Sequence, residues 1–416
     1  MKPKTFKLNN GIKVVYERFK SKKSACIINF NVGSLWEEDG KRGLAHLVEH
    51  LMFKSTATLS TDELLSQLEI NGTSINAFTN FEYTKYVFKA NTEHLGKTLA
   101  LFVNMLNSKN ISKEEFEKEK SVVIQELKMR EDDHIRQSYN NWHKQVMNID
   151  PIIGFKNEIE SITLDDVYDW INKYYITDNM TVSIVSNKYT WQIKRLLNKH
   201  FKNFRTGNKT YQTEQKSKLL ENIEFNNKKK IFKEKDNKQT QLLINFPLKI
   251  ENHHDRIKMR FLNGTLSGGL TSILFREIRE KYGYCYNINS SVEIFQNDEI
   301  TKKTKGSYLN ITTSCVPEYV DDCVKQINNV VKNLSKIIND SDIEKVKNQI
   351  KGYEHGYYKK AEHNLSQYVK YKKVSSIEDN DKKILKVEKK DVINFAKNNI
   401  GAPIVCLYGP KKPSKN

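Results

Sequence analysis

The sequence has no long hydrophobic run. No stretch of its 416 residues approaches the roughly 18 consecutive apolar residues that a membrane-spanning helix requires. The opening stretch MKPKTFKLNNGIKVVYERF has neither the apolar segment of a secretory signal nor the Arg- and Ser-rich character of a transit peptide. We therefore expect a soluble protein without a membrane partner, whose first residues form a β-strand.

Cysteine is scarce and shows no paired spacing. The five cysteines are scattered along the chain, at positions 26, 285, 315, 323 and 406. An odd number of distant cysteines is typical of free thiols in a reducing compartment rather than of a disulfide framework. This pattern predicts a cytoplasmic protein.

The sequence also lacks the pattern of a nucleic-acid-binding protein, although its formal net charge is +19. Lysine supplies most of the excess and is spread along the chain, with short clusters such as NNKKKIFKEKDNK at 226–238. Arginine and aromatic residues are not interleaved, as they are in a base-stacking groove. We expect a solvated, lysine-rich surface and no nucleic-acid partner, with a mild preference for acidic peptides left open.

The length of the chain fits two domains, and its two halves share a pattern. DDVYDWINKYYITDNMTVSIVSN at 165–187 has a counterpart in KDVINFAKNNIGAPIVCLYG at 390–409, each reading as a helix followed by a strand. CIINFNV at 26–32 and QLLINFP at 241–247 match more weakly as opening strands. Such self-similarity indicates an internal duplication.

These repeats predict an α+β fold of two similar α/β sandwich domains, each a mostly antiparallel sheet with helices on one face. The polar stretch at 206–230 has little apolar periodicity and reads as a linker. We therefore expect a first domain at 1–205 and a second at 231–416.

The stretch GLAHLVEHLMF at 43–53 carries the strongest chemical signal. On a helix, an apolar face follows the spacing i, i+3, i+4, i+7 and holds Leu44, Leu47, Val48 and Leu51. The opposite face holds His46, Glu49, His50 and Phe53. Two histidines four residues apart can reach one ion, and His-x-x-Glu-His is the inverted zinc signature. Two ordinary, partly buried histidines are the alternative.

A catalytic zinc site needs a third protein ligand. The segment SKEEFEKEKSVVIQELKMRED at 112–132 reads as a helix, whose start is fixed by a capping box of Ser112 and Glu115. Glu119 and Glu126 are seven residues apart and share one face of that helix. They are candidates for the site, although a solvated acidic face would show the same spacing.

With these motifs the sequence resembles the pitrilysin and insulysin family of zinc peptidases, in particular its small two-domain, mitochondrial-processing-peptidase-like branch. The resemblance covers essentially the whole chain. It implies one Zn²⁺ per chain, bound by His46, His50 and Glu126, the last of which lies 76 positions beyond His50. It further implies that Glu49 is the general base and that Glu119 supports the ligands.

The resemblance also assigns a substrate strand within NGTSINAFTNFEYTKYVF at 71–88. Its characteristic element corresponds to Asn76, Ala77, Phe78 and Thr79. An exposed edge strand can pair with an extended peptide through main-chain hydrogen bonds. The alternative is an ordinary amphipathic hairpin strand.

The second half has no histidine pair in GGLTSILFREIREKYGYCY at 268–286, which the repeat aligns with the zinc helix. This segment resembles the family's C-terminal signature, in which an arginine and a tyrosine seven apart contact the peptide. Arg279 and Tyr286 have that spacing. A surface ion-pair partner and a core aromatic are the alternatives for these two residues.

The resulting expectation is a zinc metalloendopeptidase that hydrolyses unfolded peptides inside a homodimeric chamber, with a role as a processing protease left open. A second possibility is the zinc-bearing subunit of a heterodimer that trims leader peptides together with a sister chain lacking the motif. A third is an inert structural subunit of the same fold. An inert subunit is expected to lose zinc ligands, and this sequence has lost none.

Overall fold

The computed structural model describes residues 2–207, 230–236, 238–294 and 307–410. Within these ranges the chain divides into two compact units. The first contains residues 2–129, 150–207 and 355–377, and the second contains the remainder. The units therefore differ from the predicted contiguous domains in two segments, 130–149 and 355–377. The predicted linker at 206–230 lies almost wholly outside the described residues.

Each unit is built on one mixed sheet. The first sheet contains β1 (Lys4–Lys7), β2 (Lys13–Arg18), β3 (Lys23–Phe30), β4 (Ser74–Thr79), β5 (Thr84–Asn91) and β6 (Met180–Ser186). The second contains β7 (Lys230–Glu234), β8 (Thr240–Leu248), β9 (Ile288–Ile294), β10 (Ser307–Cys315) and β11 (Ile404–Gly409). Neighbouring strands are antiparallel except for the pairs β2–β6 and β7–β11.

The two sheets have equivalent topologies. Their strand orders are β1-β2-β6-β3-β5-β4 and β7-β11-β8-β10-β9. Apart from the additional β1, each strand of the first sheet has a counterpart in the same place and direction in the second. This equivalence confirms the predicted α+β class and the two similar domains.

Helices connect and cover the sheets. In the first half they are α1 (Leu44–Leu51), α2 (Thr61–Ile70), α3 (Leu95–Asn107), α4 (Lys113–Glu131), α5 (His134–Met147), α6 (Lys156–Ser161), α7 (Leu164–Tyr174) and α8 (Thr190–Phe201). In the second they are α9 (His253–Ser267), α10 (Val320–Lys332), α11 (Leu334–Ile337), α12 (Asp340–Gly352), α13 (Tyr357–Tyr371), α14 (Ile377–Leu385) and α15 (Lys389–Asn399). In the described part of the chain, none of them is both long and apolar enough to cross a membrane.

Strand alternation decides which side chains of the first sheet enter the main core. On β5, Tyr86 and Phe88 face the core formed with the helices of the first half, whereas Val87 faces the opposite side. The hydroxyl groups of Tyr86 and Tyr175 are hydrogen-bonded at 2.9 Å, and the Tyr175 ring stacks on Phe30. The zinc-motif helix α1 packs against this core through its apolar face.

The opposite face of the first sheet is covered by α13, a helix from the second half of the sequence. Ala361 and Leu365 of α13 pack against Ile27 and Val87. The second sheet is similarly contacted by α5, which comes from the first half. Sequence periodicity shows that these helices have an apolar face, but not which sheet that face covers. For this reason the packing of α13 on the first sheet and of α5 on the second was not predicted.

A buried ion pair links α13 to the first sheet. The Lys360 ammonium lies 3.0 Å from the Glu17 carboxylate, whose second oxygen accepts a hydrogen bond of 2.8 Å from the Asn364 amide. All three side chains are buried. A buried carboxylate needs such partners because its desolvation is otherwise uncompensated.

We predict that Lys360→Met lowers the free energy of unfolding by about 3–5 kcal/mol, because it leaves the Glu17 carboxylate buried without its cation. The double variant Glu17→Met with Lys360→Met should recover most of this loss, since no buried charge remains. Urea unfolding of the three proteins measures both effects. A loss in the double variant as large as in Lys360→Met would contradict this explanation.

Candidate metal centre

The helix that carries the histidines has a sharply defined start. Gly43 precedes it with a φ of 98°, and a Cβ there would lie 2.5 Å from the carbonyl oxygen of Ile153. The two carboxylate oxygens of buried Glu37 accept the amide N–H groups of Gly43 and Ala45 at 3.0 and 2.8 Å. The two oxygens of Glu37 thus satisfy donors that are otherwise unpaired at the start of a helix.

Burial raises the pKa of Glu37 to about 8, while the two amide groups and Arg42 act in the opposite direction. Sequence analysis did not identify Glu37. Its neighbour Glu38 is also a glutamate. Only the tertiary position of Glu37, at the start of α1, distinguishes the two. We therefore add Glu37 to the residues that support the candidate centre.

The structure brings the three predicted ligands together. The Nε2 atoms of His46 and His50 lie 3.7 and 3.6 Å from Oε2 of Glu126. One ligand atom of each residue lies within 4.8 Å of the other two. Bonds of 2.0–2.2 Å to a tetrahedral zinc would separate the ligand atoms by about 3.4 Å. The two distances to the Glu126 oxygen exceed this value by only a few tenths of an ångström, so the two nitrogens and one carboxylate oxygen can converge on one zinc ion after small side-chain movements.

Glu119 supports this group from α4. Its Oε1 lies 2.9 Å from Nδ1 of His50, and its Oε2 lies 2.6 Å from Nζ of Lys54. Burial opposes ionisation, but the hydrogen bonds from His50 and Lys54 hold the pKa of Glu119 below its ordinary value. A charged Glu119 accepts the Nδ1 proton of His50 and leaves Nε2 with the lone pair that a metal requires.

Glu119 is only 6% exposed. This burial argues against the alternative of a solvated acidic face. The role of Glu119 as a supporting group remains a prediction, now with named partners on both of its oxygens.

Glu49 lies on α1 beside the two histidines but outside the three-residue group. Its Oε2 accepts a hydrogen bond from the Thr79 hydroxyl group. Burial raises the pKa of Glu49, whereas the Thr79 hydrogen bond and nearby His50 lower it. A partly buried carboxylate with a raised pKa can accept and return a proton, which is the property that a general base needs.

Thr79 belongs to β4, the terminal strand of the first sheet. Within the described residues β4 pairs only with β5, so its other edge is open. Ala77 and Thr79 point towards the α1 side of the sheet, whereas Phe78 points to the opposite side and is 45% exposed. The side-chain oxygen of Asn76 accepts the amide N–H of Ala77. The four predicted residues therefore lie on an edge that an extended peptide could join.

Arg279 and Tyr286 lie in the second unit and contact each other. Arg279 belongs to a π-helix, Phe275–Glu280, and its guanidinium group lies over the rings of Phe275 and Tyr286 at 4.4 and 5.0 Å from their centroids. Tyr286 is 76% exposed, which excludes the alternative of a core aromatic. Short π-helical segments are often found at functional sites.

Element order corrects one detail of the predicted repeat. In the first half, α1 and then α2 lie between β3 and β4. In the second half, α9 and then the segment 268–286 lie between the equivalent strands β8 and β9. The counterpart of the histidine helix is therefore α9 rather than the segment 268–286. In the part of the chain that the structure describes, only His46, His50 and Glu126 form a group able to hold a metal.

Comparisons with known proteins agree with this architecture. Residues 13–153 match the family model of insulinase (peptidase family M16), and residues 161–350 match that of the peptidase M16 inactive domain. The chain belongs to the M16 peptidase family, as its sequence predicted.

Two curated relatives illustrate the similarity. The chain is 29% identical to the uncharacterized zinc protease YmxG of Bacillus subtilis over 297 residues, which are 69% of each protein. It is 32% identical to the zinc protease PqqE of Helicobacter pylori over 205 residues, which are 48% of this chain and 46% of that protein.

Two solved structures share the fold. A protease from Helicobacter pylori superposes with a TM-score of 0.83 at 22% identity, covering 98% of this chain and 99% of that one. A peptidase M16 inactive domain from Pseudomonas fluorescens gives the same TM-score at 15% identity, covering 99% of this chain and 100% of that one.

We predict that the purified protein binds about one zinc ion per chain, because two histidines and one carboxylate provide three ligands and leave a fourth position open. Glu126→Gln should weaken zinc binding, since an amide oxygen is a poorer ligand than a carboxylate. Glu49→Gln should retain zinc as the matched control. Elemental analysis and competition with a chelator measure these values. Loss of zinc in Glu49→Gln would make Glu49 a ligand and contradict the assignment.

Proposed function

We propose that this chain is a zinc-dependent endopeptidase that hydrolyses unfolded peptides. The observation that carries the proposal is the position of Glu49. This carboxylate lies beside the His46, His50 and Glu126 group, is not a member of it, and is hydrogen-bonded to the open edge strand β4. A base between a candidate metal group and a peptide-binding edge has the arrangement that peptide hydrolysis requires.

His46, His50 and Glu126 would hold the metal. A bound Zn²⁺ supplies Lewis acidity, which polarises the peptide carbonyl group and makes a water molecule more acidic. Glu49 accepts the proton of the attacking water at its carboxylate and delivers it to the leaving amine. The Thr79 hydrogen bond fixes the direction of that carboxylate. Glu119 holds His50 in the tautomer whose Nε2 is free to bind.

The peptide would lie along β4, with its main chain hydrogen-bonded to the open edge. Recognition through the main chain requires an extended substrate and places little demand on its sequence. This favours unfolded peptides over folded proteins. Arg279 and Tyr286 would donate hydrogen bonds to the peptide or to the oxyanion that forms during hydrolysis.

The experiment that tests this function is the substitution Glu49→Gln. We predict that turnover of an unfolded peptide falls by about 10²–10⁴ or more, because the amide cannot accept the proton of the attacking water. Zinc content and thermal stability should match those of the wild type, which separates loss of the base from loss of the site. Full activity in Glu49→Gln, or activity that persists after complete removal of divalent metal, would contradict the proposal.

We further propose that the active form is a homodimer in which the metal-bearing half of one chain faces the Arg279 and Tyr286 half of its partner. Two points support this arrangement: each chain carries one copy of each half, and both of these residues are present. A heterodimeric leader-peptide processing enzyme is the second candidate. It would depend on a sister chain that lacks the histidine motif.

Mixing two inactive variants tests the shared site. Glu49→Gln and Tyr286→Phe chains, each weakly active alone, should together recover up to roughly a quarter of the wild-type activity after random exchange, because half of the dimers then contain one intact site. Subunit exchange is demonstrated separately, by isolating mixed dimers from differently tagged chains. No recovery despite demonstrated exchange would contradict the shared site.

A further inference from the structure

Two lysines connect the candidate metal centre to a segment that lies outside it. The segment before α4 runs beside the turn that follows α1: Lys109 forms an isolated β-bridge with Thr56, and the amide of Ala57 donates to the carbonyl of Ser108 at 2.7 Å. These contacts bring the Lys109 side chain to the carboxyl end of the histidine helix.

The Lys109 ammonium binds three main-chain oxygens there. It donates to the carbonyl groups of Leu51, Met52 and Lys54 at 3.4, 2.9 and 2.6 Å. A cation is favourable at this end of a helix because the dipole places negative partial charge on the last carbonyl groups. Lys109 thus mirrors Glu37 at the opposite end of α1, and it fixes the main chain of Lys54.

Lys54 continues the connection through its side chain. Its ammonium lies 2.6 Å from Oε2 of Glu119, and Oε1 of the same carboxylate lies 2.9 Å from Nδ1 of His50. The contacts therefore run from the Lys109 ammonium to the Lys54 carbonyl, along the Lys54 side chain to Glu119, and from Glu119 to His50. The two contacts of Glu119, with Lys54 and with His50, involve an ionised carboxylate, and such hydrogen bonds are stronger than those between neutral groups.

We propose that Lys54 and Lys109 are positioning residues that act in series, through Glu119, to hold the His50 ring in its metal-binding orientation. We call them the two-lysine relay. Without Lys54, one oxygen of Glu119 loses its partner and the carboxylate is free to rotate away from His50. Without Lys109, the Lys54 main chain loses its anchor. This inference rests on the metal site proposed above.

The variants should fold because the turn has a second attachment. The Glu115 carboxylate accepts hydrogen bonds from the hydroxyl groups of Ser55 and Thr61, and neither contact involves the relay. Arg205 offers a matched control. Its guanidinium donates to the carbonyl groups of Leu106 and Asn107 at the end of α3, which carries no predicted ligand.

The test measures zinc affinity by chelator competition, together with the visible spectrum of the Co²⁺-substituted protein, which reports ligand geometry. We expect Lys54→Met to weaken zinc binding by about 10–100-fold, the usual effect of removing a group that orients a ligand. Lys109→Met should weaken it by about tenfold, and both should alter the Co²⁺ spectrum. Lys54→Arg, which keeps a cation for Glu119, should retain most of the affinity. Arg205→Met should lower the unfolding temperature without changing either signal.

The double variant tests the serial order. If Lys109 acts through Lys54, Lys54→Met with Lys109→Met should bind zinc within about twofold of Lys54→Met alone. Additive losses would overturn the serial relay. Variants with unchanged zinc affinity and lowered stability, as in Arg205→Met, would show a purely structural role and overturn the proposal. A wild-type chain that binds no zinc would instead overturn the proposed function.

Discussion

Helix α1 has to bury one face in the core while holding ionisable side chains on the other, and the surrounding structure depends on this constraint. Polar and ionisable groups that leave water need compensating partners. Glu37 provides them for the amide groups at the start of the helix, and Lys109 provides them for the carbonyl groups at its end. Glu119 and Lys54 do the same for His50.

These partners come from separate parts of the first unit. Glu37 precedes α1, Lys54 follows it, and Lys109 and Glu119 lie before and within α4. The sheet contributes Thr79 from its open edge to Glu49. Because each charge is fixed by contacts outside α1, the eight residues of this short helix do not determine the geometry of the candidate centre by themselves. A short isolated helix would not be stable in water.

Much of the architecture could be predicted from the sequence because it depends on local patterns. The capping box at the start of α4 forms as expected, with reciprocal hydrogen bonds between Ser112 and Glu115. The spacing of the histidine motif places both imidazoles on one helix face. The family resemblance then identified Glu126, which the structure brings within 3.7 Å of both histidine Nε2 atoms.

The remaining features could not be predicted because they are tertiary contacts between residues without a distinctive local pattern. Lysine occurs throughout this chain, and nothing near Lys54 or Lys109 marks them as different from solvated lysines. The packing of α5 on the second sheet and of α13 on the first is likewise a tertiary contact without a local sequence signal. The apolar face of α13 is evident in the sequence, but its partner strands, β2, β3 and β6, lie more than 160 residues away.

The second unit shows what the same topology requires when no charged site has to be supported. Its helix α9 has the place of α1, and β9 has the place of β4. The contact between helix and edge strand persists there in neutral form: Ser290 of β9 is hydrogen-bonded to Ser267 and Asn263 of α9 at 2.8 and 2.9 Å. In the first unit the corresponding contact joins the Glu49 carboxylate to Thr79.

This contrast separates the requirements of the fold from those of the site. Serine and asparagine hold α9 to its edge strand, so neutral hydrogen bonds are sufficient for this contact in the second unit. The first unit uses the same scaffold but places a carboxylate at that contact. A partly buried carboxylate beside His50 and Glu126 raises the electrostatic demand on its surroundings. The contacts of Glu119 with His50 and Lys54 meet part of that demand beside α1.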